Sequence, residues 1–330
     1  MAIEATSRRA DFNEIPVIDL AELGRDSSAE VAVVAAIRDA CENVGFFYAA
    51  NHGIDAALLD GIFGQCRRFF SLPQPSRDAL LLTNSPHYRG YLPIGARGDN
   101  KDRPRDLLES FNVARELGAD DPFVAVRRPL HGPNQWPGGL PGFRDFILRY
   151  YAAMEVLMMR LLEGVALAMD MRRDALFKDY RKPLTQMRLL HYPAQEGEIV
   201  DMIGARAHRD FGALTILLQD QVGGLEVLNN AKEWVVAPPL PGTLVINLGL
   251  MMRLITNDHY LAAEHRVINR YGKERYSVPF FVNPDYDAVI APLPQFAPPG
   301  AETAYRPVQA GEMLHNFYRG LWPSAGQPVT

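Results

Sequence analysis

Cysteine, long apolar runs and excess positive charge are all scarce in this chain of 330 residues, and each scarcity excludes a class of protein. Two cysteines, Cys41 and Cys66, are too few for a disulfide-stabilised secreted scaffold, and nothing in the sequence favours a bond between them. No apolar run approaches the roughly 20 residues that span a bilayer, and the first 13 residues lack the apolar core of a signal peptide. A net charge of −5 argues against a general nucleic-acid-binding protein. We therefore expect a cytoplasmic protein with neither nucleic acid nor membrane as a partner.

The composition is that of an ordinary globular enzyme, with 48% hydrophobic and 22% charged residues. In the first half, apolar residues recur at helical spacing over three stretches, residues 29–43, 55–70 and 141–169. Glycine, proline and arginine predominate between Pro86 and Pro141, and loops this long usually have a function in a compact enzyme. We therefore expect a helical N-terminal part, residues 1–180, whose loops contact a substrate.

After Pro183 the pattern changes to short strands separated by turn residues. The predicted strands cover residues 186–192, 213–219, 224–228, 233–237, 243–248, 264–269 and 275–282. This spacing is typical of a sandwich or barrel, and a helix is predicted at residues 310–321. We therefore expect a mainly β protein with added α-helices. It would be a single domain over residues 1–330, in which N-terminal helices frame a jelly-roll core at residues 181–330.

One set of residues has the spacing of a metal site. His208 and Asp210 are separated by one residue just before a predicted strand, and side chains at i and i+2 of extended backbone point the same way. His265, at the start of a later strand, is the third candidate ligand. Two histidines and one carboxylate leave three open positions on an octahedral ion, which is the arrangement expected for iron(II) oxygenases. Zinc prefers a tetrahedral site, and a structural zinc would normally have a fourth ligand.

A carboxylate-binding pair follows His265 by ten residues. Arg275 and Ser277 form another i, i+2 pair on a predicted strand, and a guanidinium beside a hydroxyl can make three charge-assisted or neutral hydrogen bonds to one carboxylate. Tyr192, on an earlier strand, could add its phenol to the same group. A metal triad together with a carboxylate clamp calls for a small acidic cosubstrate that reaches from the metal to the arginine.

These motifs resemble the isopenicillin-N-synthase-like branch of the 2-oxoglutarate/iron(II)-dependent oxygenases over nearly the whole chain. Besides the residues above, the motifs that carry the resemblance are Pro16-Val17-Ile18-Asp19-Leu20, Gly45-Phe46-Phe47-Tyr48, Asn51-His52-Gly53, Tyr88-Arg89-Gly90-Tyr91, Glu264-His265-Arg266-Val267 and Arg275-Tyr276-Ser277-Val278-Pro279-Phe280-Phe281. The resemblance implies a double-stranded β-helix that holds iron(II) at one mouth. It also implies 2-oxoglutarate as cosubstrate.

The same resemblance assigns roles to individual residues. His208, Asp210 and His265 would be the iron ligands at which catalysis is centred. The clamp of Arg275 and Ser277, assisted by Tyr192, would bind the distal carboxylate of 2-oxoglutarate. Two positions depart from the family pattern, since many relatives have Asn where Leu190 stands and Asp where Leu250 stands. The polar network around cosubstrate or substrate is therefore expected to differ here.

The expected reaction is oxidation of a small molecule by O₂, most simply hydroxylation, with release of succinate and CO₂. Desaturation, ring closure and ethylene formation use the same residues and stay open. An iron(II) oxidase that uses no 2-oxoglutarate is one alternative, with Arg275 holding the carboxylate of its own substrate. A non-catalytic binding protein on the same scaffold is an alternative of a different class. The sequence leaves the substrate and the oligomeric state open.

Four residues are candidate substrate contacts because they lie in the loop region or on the strand near Tyr192. They are Arg89, Arg97, Phe111 and Arg188. An arginine in the pocket would suit an acidic substrate.

Overall fold

A computed structural model describes residues 12–96, 106–194, 203–269, 272–297 and 303–322. Its α-helices are α1 (Ser28–Asn43), α2 (Ala56–Phe70), α3 (Gln74–Asp78), α4 (Pro122–Ala125), α5 (Phe143–Ala168), α6 (Leu250–Ile255) and α7 (Ala310–Leu321). Its strands are β1 (Val17–Asp19), β2 (Phe46–Ala50), β3 (Gly90–Leu92), β4 (Glu109–Ala114), β5 (Gln186–Tyr192), β6 (Ile203–His208), β7 (Leu214–Gln219), β8 (Leu225–Leu228), β9 (Trp234–Val236), β10 (Leu244–Leu248), β11 (His265–Ile268), β12 (Arg275–Val282), β13 (Val289–Ile290) and β14 (Val308–Gln309).

Two sheets build the core. The larger has the order β1-β2-β10-β7-β12-β5-β4-β3, and the smaller has the order β6-β11-β8-β9. All pairings within them are antiparallel except β1 with β2. Side chains from both sheets line one cavity, so the sheets face each other around it. This is the predicted jelly-roll core, and β1 to β4 of the N-terminal part extend its larger sheet.

Strand β5 shows how the larger sheet separates helices from cavity. Six of its seven residues are buried, because both of its faces are covered. Met187 and Leu189 share an apolar cluster with Leu157 of α5. Tyr192 belongs to a second cluster inside the core, together with Phe46 of β2. Alternate residues of one strand therefore serve two different cores.

The predicted helices and strands of the described residues are confirmed, with small shifts at their ends. Strands β3 and β6, the short helices α3, α4 and α6, and the β13–β14 pair were not predicted. Cys41 and Cys66 are both buried free thiols, as expected from the absence of a disulfide pattern. Within the described residues, no helix is both long and apolar enough to cross a membrane.

A buried carboxylate ties the N-terminal part to the core. The side chain of Glu109, which is 4% exposed, accepts hydrogen bonds from Arg77 Nη1 at 2.6 Å and Tyr91 Oη at 2.5 Å. His191 Nδ1 donates to its second oxygen at 2.7 Å. Burial alone would raise the pKa of the Glu109 carboxyl. The hydrogen bonds from His191 and Tyr91, with the charge of Arg77, outweigh burial and hold the pKa below its ordinary value of 4.5.

We expect Glu109→Gln to lower the free energy of unfolding by about 2 kcal/mol or more at pH 7, because it leaves Arg77 without its anionic partner in a buried site. Urea denaturation of the metal-free protein measures this. Since the folded-state pKa is lowered, the stabilisation is present above pH 4.5 and is lost as the pH falls through the lowered value, so the two proteins should converge in acid.

A matched control is Asp174→Asn, which breaks an exposed ion pair with Arg172. This substitution should lower the free energy of unfolding by no more than about 0.5 kcal/mol, because exposed ion pairs contribute little to stability. Equal stability of Glu109→Gln and the parent protein at pH 7 would contradict a stabilising role for this network.

Candidate metal centre

The structure brings His208, Asp210 and His265 together at one end of the smaller sheet. His208 ends β6, His265 begins β11, and the two are register partners on neighbouring strands. Asp210 lies in the turn after β6. Its Oδ1 is 3.7 Å from His208 Nε2 and 3.8 Å from His265 Nε2, and all three ligand atoms lie within 4.8 Å of one another. Among the described residues, this is the one group of three such side chains that could hold a metal ion.

The backbone sets which nitrogen of each histidine faces the centre. His208 Nδ1 is 2.7 Å from the Arg206 carbonyl, and His265 Nδ1 is 3.3 Å from the Ala263 carbonyl. A neutral imidazole that donates from Nδ1 to a carbonyl keeps its lone pair on Nε2. Both histidines therefore present a metal-binding nitrogen to the same point.

Asp210 completes the donor set as an ionised carboxylate. Burial alone would raise the pKa of its carboxyl. The neighbouring His265 and His208, together with hydrogen bonds from Thr215 and Asn247, outweigh burial and lower the pKa below its ordinary value. Two histidine nitrogens and one carboxylate oxygen, with three positions left open, suit iron(II).

The metal centre opens into a cavity between the two sheets. Most of its wall is apolar, with Phe46, Leu108, Leu190, Leu217, Leu225 and Val267 among the lining residues. Among the described lining residues, Asp210 is the only acid, whereas Arg188 and Arg275 are both cationic. The cavity therefore favours anionic ligands.

Arg275 lies fully buried in this cavity wall. Its Nε donates to the Gly223 carbonyl at 2.6 Å, its Nη1 donates to Ser277 Oγ at 3.1 Å, and its guanidinium lies 4.6 Å from the ring centre of Tyr192. Its Nη2 has no partner among the described residues. A buried cationic donor without a partner is costly, so the site fits a ligand that supplies a carboxylate at this point.

Arg188 forms the cationic part of the outer wall. Its guanidinium lies 4.9 Å from the ring centre of Phe281 and 5.4 Å from that of Trp322. Its Nε and Nη2 donate to Gln186 Oε1 at 3.2 and 3.0 Å, and the same oxygen accepts from Tyr318 of α7 at 2.8 Å. The predicted substrate residue Arg188 thus lines the cavity, and α7 helps to set its orientation.

Two of the predicted substrate contacts do not line this cavity. Phe111 is fully buried among helices, 4.2 Å from the ring centre of Phe69, because it alternates along β4 with Ser110, which does line the cavity. Arg89 is 4% exposed and donates to the carbonyls of His87 and Leu130, so it joins two loop segments instead of facing the cavity. Arg97 lies outside the described residues.

Sequence reasoning also overlooked several residues that the fold places at the site. They are Ser110, Thr215, Asn247, Phe281 and Trp322. Alternation along β4 offered a signal for Ser110, and alternation from Arg275 and Ser277 along β12 offered one for Phe281. The places of Thr215, Asn247 and Trp322 at the site depend on strand register and on the packing of α7, which the sequence pattern does not show.

Gly249 supports the turn that contains Asp210. Its N–H donates to the Ala213 carbonyl at 2.9 Å, and the next N–H, of Leu250, donates to the Asp210 carbonyl at 2.8 Å. A Cβ atom at Gly249 would lie 2.1 Å from the Gly212 carbonyl oxygen and 2.9 Å from that of Asp210. Both are backbone atoms, so no flexible side chain can yield.

We expect Gly249→Ala to destabilise the protein by about 1–3 kcal/mol and to weaken iron(II) binding by about tenfold or more, because the added methyl group displaces the backbone of the candidate ligand Asp210. Thermal unfolding and anaerobic iron titration measure the two effects. Gly64→Ala is the control: it lies within α2, has no neighbouring atom near its Cβ, and should be neutral or slightly stabilising. Unchanged iron affinity in Gly249→Ala would contradict this dependence.

Comparison with known proteins supports the class of enzyme that the fold and site define. The family model described as "non-haem dioxygenase in morphine synthesis N-terminal" matches residues 15–139. The family model of the 2OG-Fe(II) oxygenase superfamily matches residues 184–284. A 2-oxoglutarate-Fe(II) type oxidoreductase (hxnY) of Emericella nidulans is 34% identical over 316 residues, which cover 92% of this chain and 89% of that protein. The chain belongs to the 2-oxoglutarate/iron(II) oxygenase superfamily, in its isopenicillin-N-synthase-like branch.

Solved structures agree with this assignment. A full-length Neurospora crassa protein in complex with alpha-KG (2-oxoglutarate) has a TM-score of 0.82 at 26% identity, covering 92% of this chain and 95% of that one. A dioxygenase for auxin oxidation in rice has a TM-score of 0.73 at 26% identity, covering 96% and 98%. The prediction of a non-haem iron(II) dioxygenase that uses 2-oxoglutarate is confirmed. The alternatives without 2-oxoglutarate or without catalysis find no support.

Proposed function

We propose that His208, Asp210 and His265 hold the catalytic iron(II), each through one atom. The supporting observation is the convergence of two histidine nitrogens and one carboxylate oxygen on a common point at the cavity end. The carbonyls behind the two Nδ1 atoms fix the ring orientation before metal arrives. Such preorganisation raises metal affinity because little ordering remains to be done on binding.

Arg275, Ser277 and Tyr192 bind the distal carboxylate of 2-oxoglutarate. The free Nη2 of Arg275 and the hydroxyl of Ser277 supply the donors, and the ring of Tyr192 holds the guanidinium plane by cation–π contact. Because Arg275 Nε donates a hydrogen bond to the Gly223 carbonyl, the orientation of the guanidinium is fixed. This anchoring directs the other end of the cosubstrate towards the metal centre in the same cavity.

The proposed reaction is hydroxylation of a small molecule. When bound, iron(II) and 2-oxoglutarate activate O₂, so that one oxygen atom enters a substrate C–H bond, the other enters succinate, and CO₂ leaves. The apolar wall keeps water from the reacting end of the cavity. A homoarginine-6-hydroxylase of Glycine max, 35% identical over 299 residues that cover 86% of this chain and 89% of that protein, supports hydroxylation as the outcome.

The substrate class follows from Arg188 and the apolar wall around it. A planar guanidinium between two aromatic rings suits a small molecule with an apolar body and a carboxylate or another strong acceptor group. The acidic net charge of the chain supports a free small molecule over a nucleic acid.

Succinate release from 2-oxoglutarate tests this proposal. The iron(II)-loaded protein is incubated in air with small carboxylic acids and with the methyl esters of the same acids, and succinate and product mass are measured. We expect one or more acids, but not their esters, to stimulate succinate formation and to gain one oxygen atom. Stimulation by acid and ester alike would contradict the proposed role of Arg188, and products without added oxygen would contradict hydroxylation.

A further inference from the structure

The two oxygens of the Asp210 carboxylate have different surroundings. Oδ1 faces the two histidine nitrogens, at 3.7 Å from His208 and 3.8 Å from His265. Oδ2 accepts a hydrogen bond from Thr215 Oγ1 at 2.6 Å and another from Asn247 Nδ2 at 2.7 Å. A carboxylate oxygen has two lone pairs, so these two donors occupy the hydrogen-bonding capacity of Oδ2.

The fold places both donors on one side of this carboxylate. Thr215 in β7 and Asn247 in β10 are register partners on adjacent antiparallel strands, so their side chains point to the same face of the larger sheet. Each residue is 2% exposed, and both line the cavity. The larger sheet therefore holds Oδ2, while the smaller sheet supplies the histidines that face Oδ1.

We propose that Thr215 and Asn247 are positioning residues that restrict Asp210 to binding iron through Oδ1 alone. This inference rests on the proposed assignment of Asp210 as an iron ligand. An octahedral iron has six positions, of which three single-atom protein ligands leave three. The keto acid end of 2-oxoglutarate needs two of these and O₂ needs one. If Oδ2 also bound the metal, the position for O₂ would be lost.

A purely structural role would have a different consequence. If Thr215 and Asn247 served only to satisfy a buried carboxylate, their loss would lower stability and would leave the number of open positions on a bound iron unchanged. If they act by positioning, their loss changes the access of a small gas molecule to the iron while the fold is retained. The two roles can therefore be separated by a spectroscopic measurement on folded protein.

The test uses Thr215→Val, which keeps the shape but removes the hydroxyl, and Thr215→Ser, which keeps the hydroxyl as a rescue control. Asn247→Leu and the double variant Thr215→Val/Asn247→Leu remove the second donor. Each protein is loaded anaerobically with iron(II) and 2-oxoglutarate and titrated with nitric oxide, a probe that binds an open position on iron(II) and gives an EPR signal. Iron and 2-oxoglutarate affinities are measured in parallel, with circular dichroism to verify folding.

We expect the parent protein and Thr215→Ser to bind nitric oxide equally. The double variant should bind it at least about tenfold more weakly at saturating iron and 2-oxoglutarate, in line with the effect of other residues that orient metal ligands. Each single variant should show less than half of this weakening on a logarithmic scale, because one donor still holds Oδ2. If the double variant does not fold, the single variants carry the test. Weaker nitric oxide binding in Thr215→Val together with parent-like binding in Thr215→Ser would then support the positioning role.

Unchanged nitric oxide binding in folded, iron-loaded variants would overturn the positioning role while leaving the proposed function intact. Failure of the parent protein to bind iron would overturn the proposed ligand assignment and this inference with it.

Discussion

Replacing His265 with alanine is expected to abolish iron binding and turnover together. The substitution removes one of three protein ligands and leaves His208 and Asp210, which are too few to hold iron(II) against free chelators. Affinity should fall by more than about 100-fold, because losing a ligand exceeds the roughly 10- to 100-fold effect of losing a residue that only orients one. Anaerobic iron titration and succinate release measure the two losses.

A surface histidine provides the control. His259 is half-exposed and lies 3.0 Å from Glu42, away from the cavity. His259→Ala should therefore bind iron and turn over as the parent protein does. Full activity of folded His265→Ala would contradict the assignment of the metal centre.

Replacing Arg275 with alanine is expected to weaken 2-oxoglutarate binding by about 100-fold or more, while iron affinity changes only a few-fold. Removing one partner of a buried charge pair costs about 3–5 kcal/mol, and each 1.4 kcal/mol is about a tenfold change. Arg275→Lys keeps the charge but loses the planar fork and the hydrogen bond from Nε to the Gly223 carbonyl. Its affinity for 2-oxoglutarate should therefore lie between those of the parent protein and Arg275→Ala.

Pyruvate provides a matched ligand control for Arg275→Ala. It has the keto acid end of 2-oxoglutarate but no distal carboxylate, so the variant and the parent protein should bind it with similar affinity. Equal weakening for pyruvate and 2-oxoglutarate would show that the substitution damages the site as a whole, and it would contradict the distal clamp.

The elements that sequence reasoning located best are those that contain a complete local signal. Strands β5 and β12 and helix α7 begin and end at the predicted residues, since each has a continuous pattern bounded by turn residues. Strand β6 gave no such signal because half of the residues of Ile203–His208 are glycine or alanine. It forms because β11 pairs with it, and this tertiary pairing overrides local propensity.

The residues of the site also differ in how well the sequence predicts their positions. His208 with Asp210, and Arg275 with Ser277, are close in sequence, so extended backbone sufficed to predict their common direction. Thr215 and Asn247 are 5 and 37 residues from Asp210, and only the register of β7 with β10 brings both to one oxygen.

The position of Phe111 away from the cavity has a related cause. All six residues of β4 are buried, so burial alone does not identify the face that lines the cavity. Phe111 packs against helices, and its neighbour Ser110 faces the cavity. Packing against the helices therefore decides which side of β4 faces the cavity.

Anaerobic titration of the iron(II)-loaded protein with 2-oxoglutarate, followed by visible absorption, tests the metal centre and the carboxylate clamp together. We predict a saturable metal-to-ligand charge-transfer band in the parent protein. At the same ligand concentration, the band should be absent from His265→Ala, which lacks iron, and from Arg275→Ala, which retains iron. Iron binding without any such band at saturating 2-oxoglutarate in the parent protein would contradict the joint assignment of the metal centre and the carboxylate clamp.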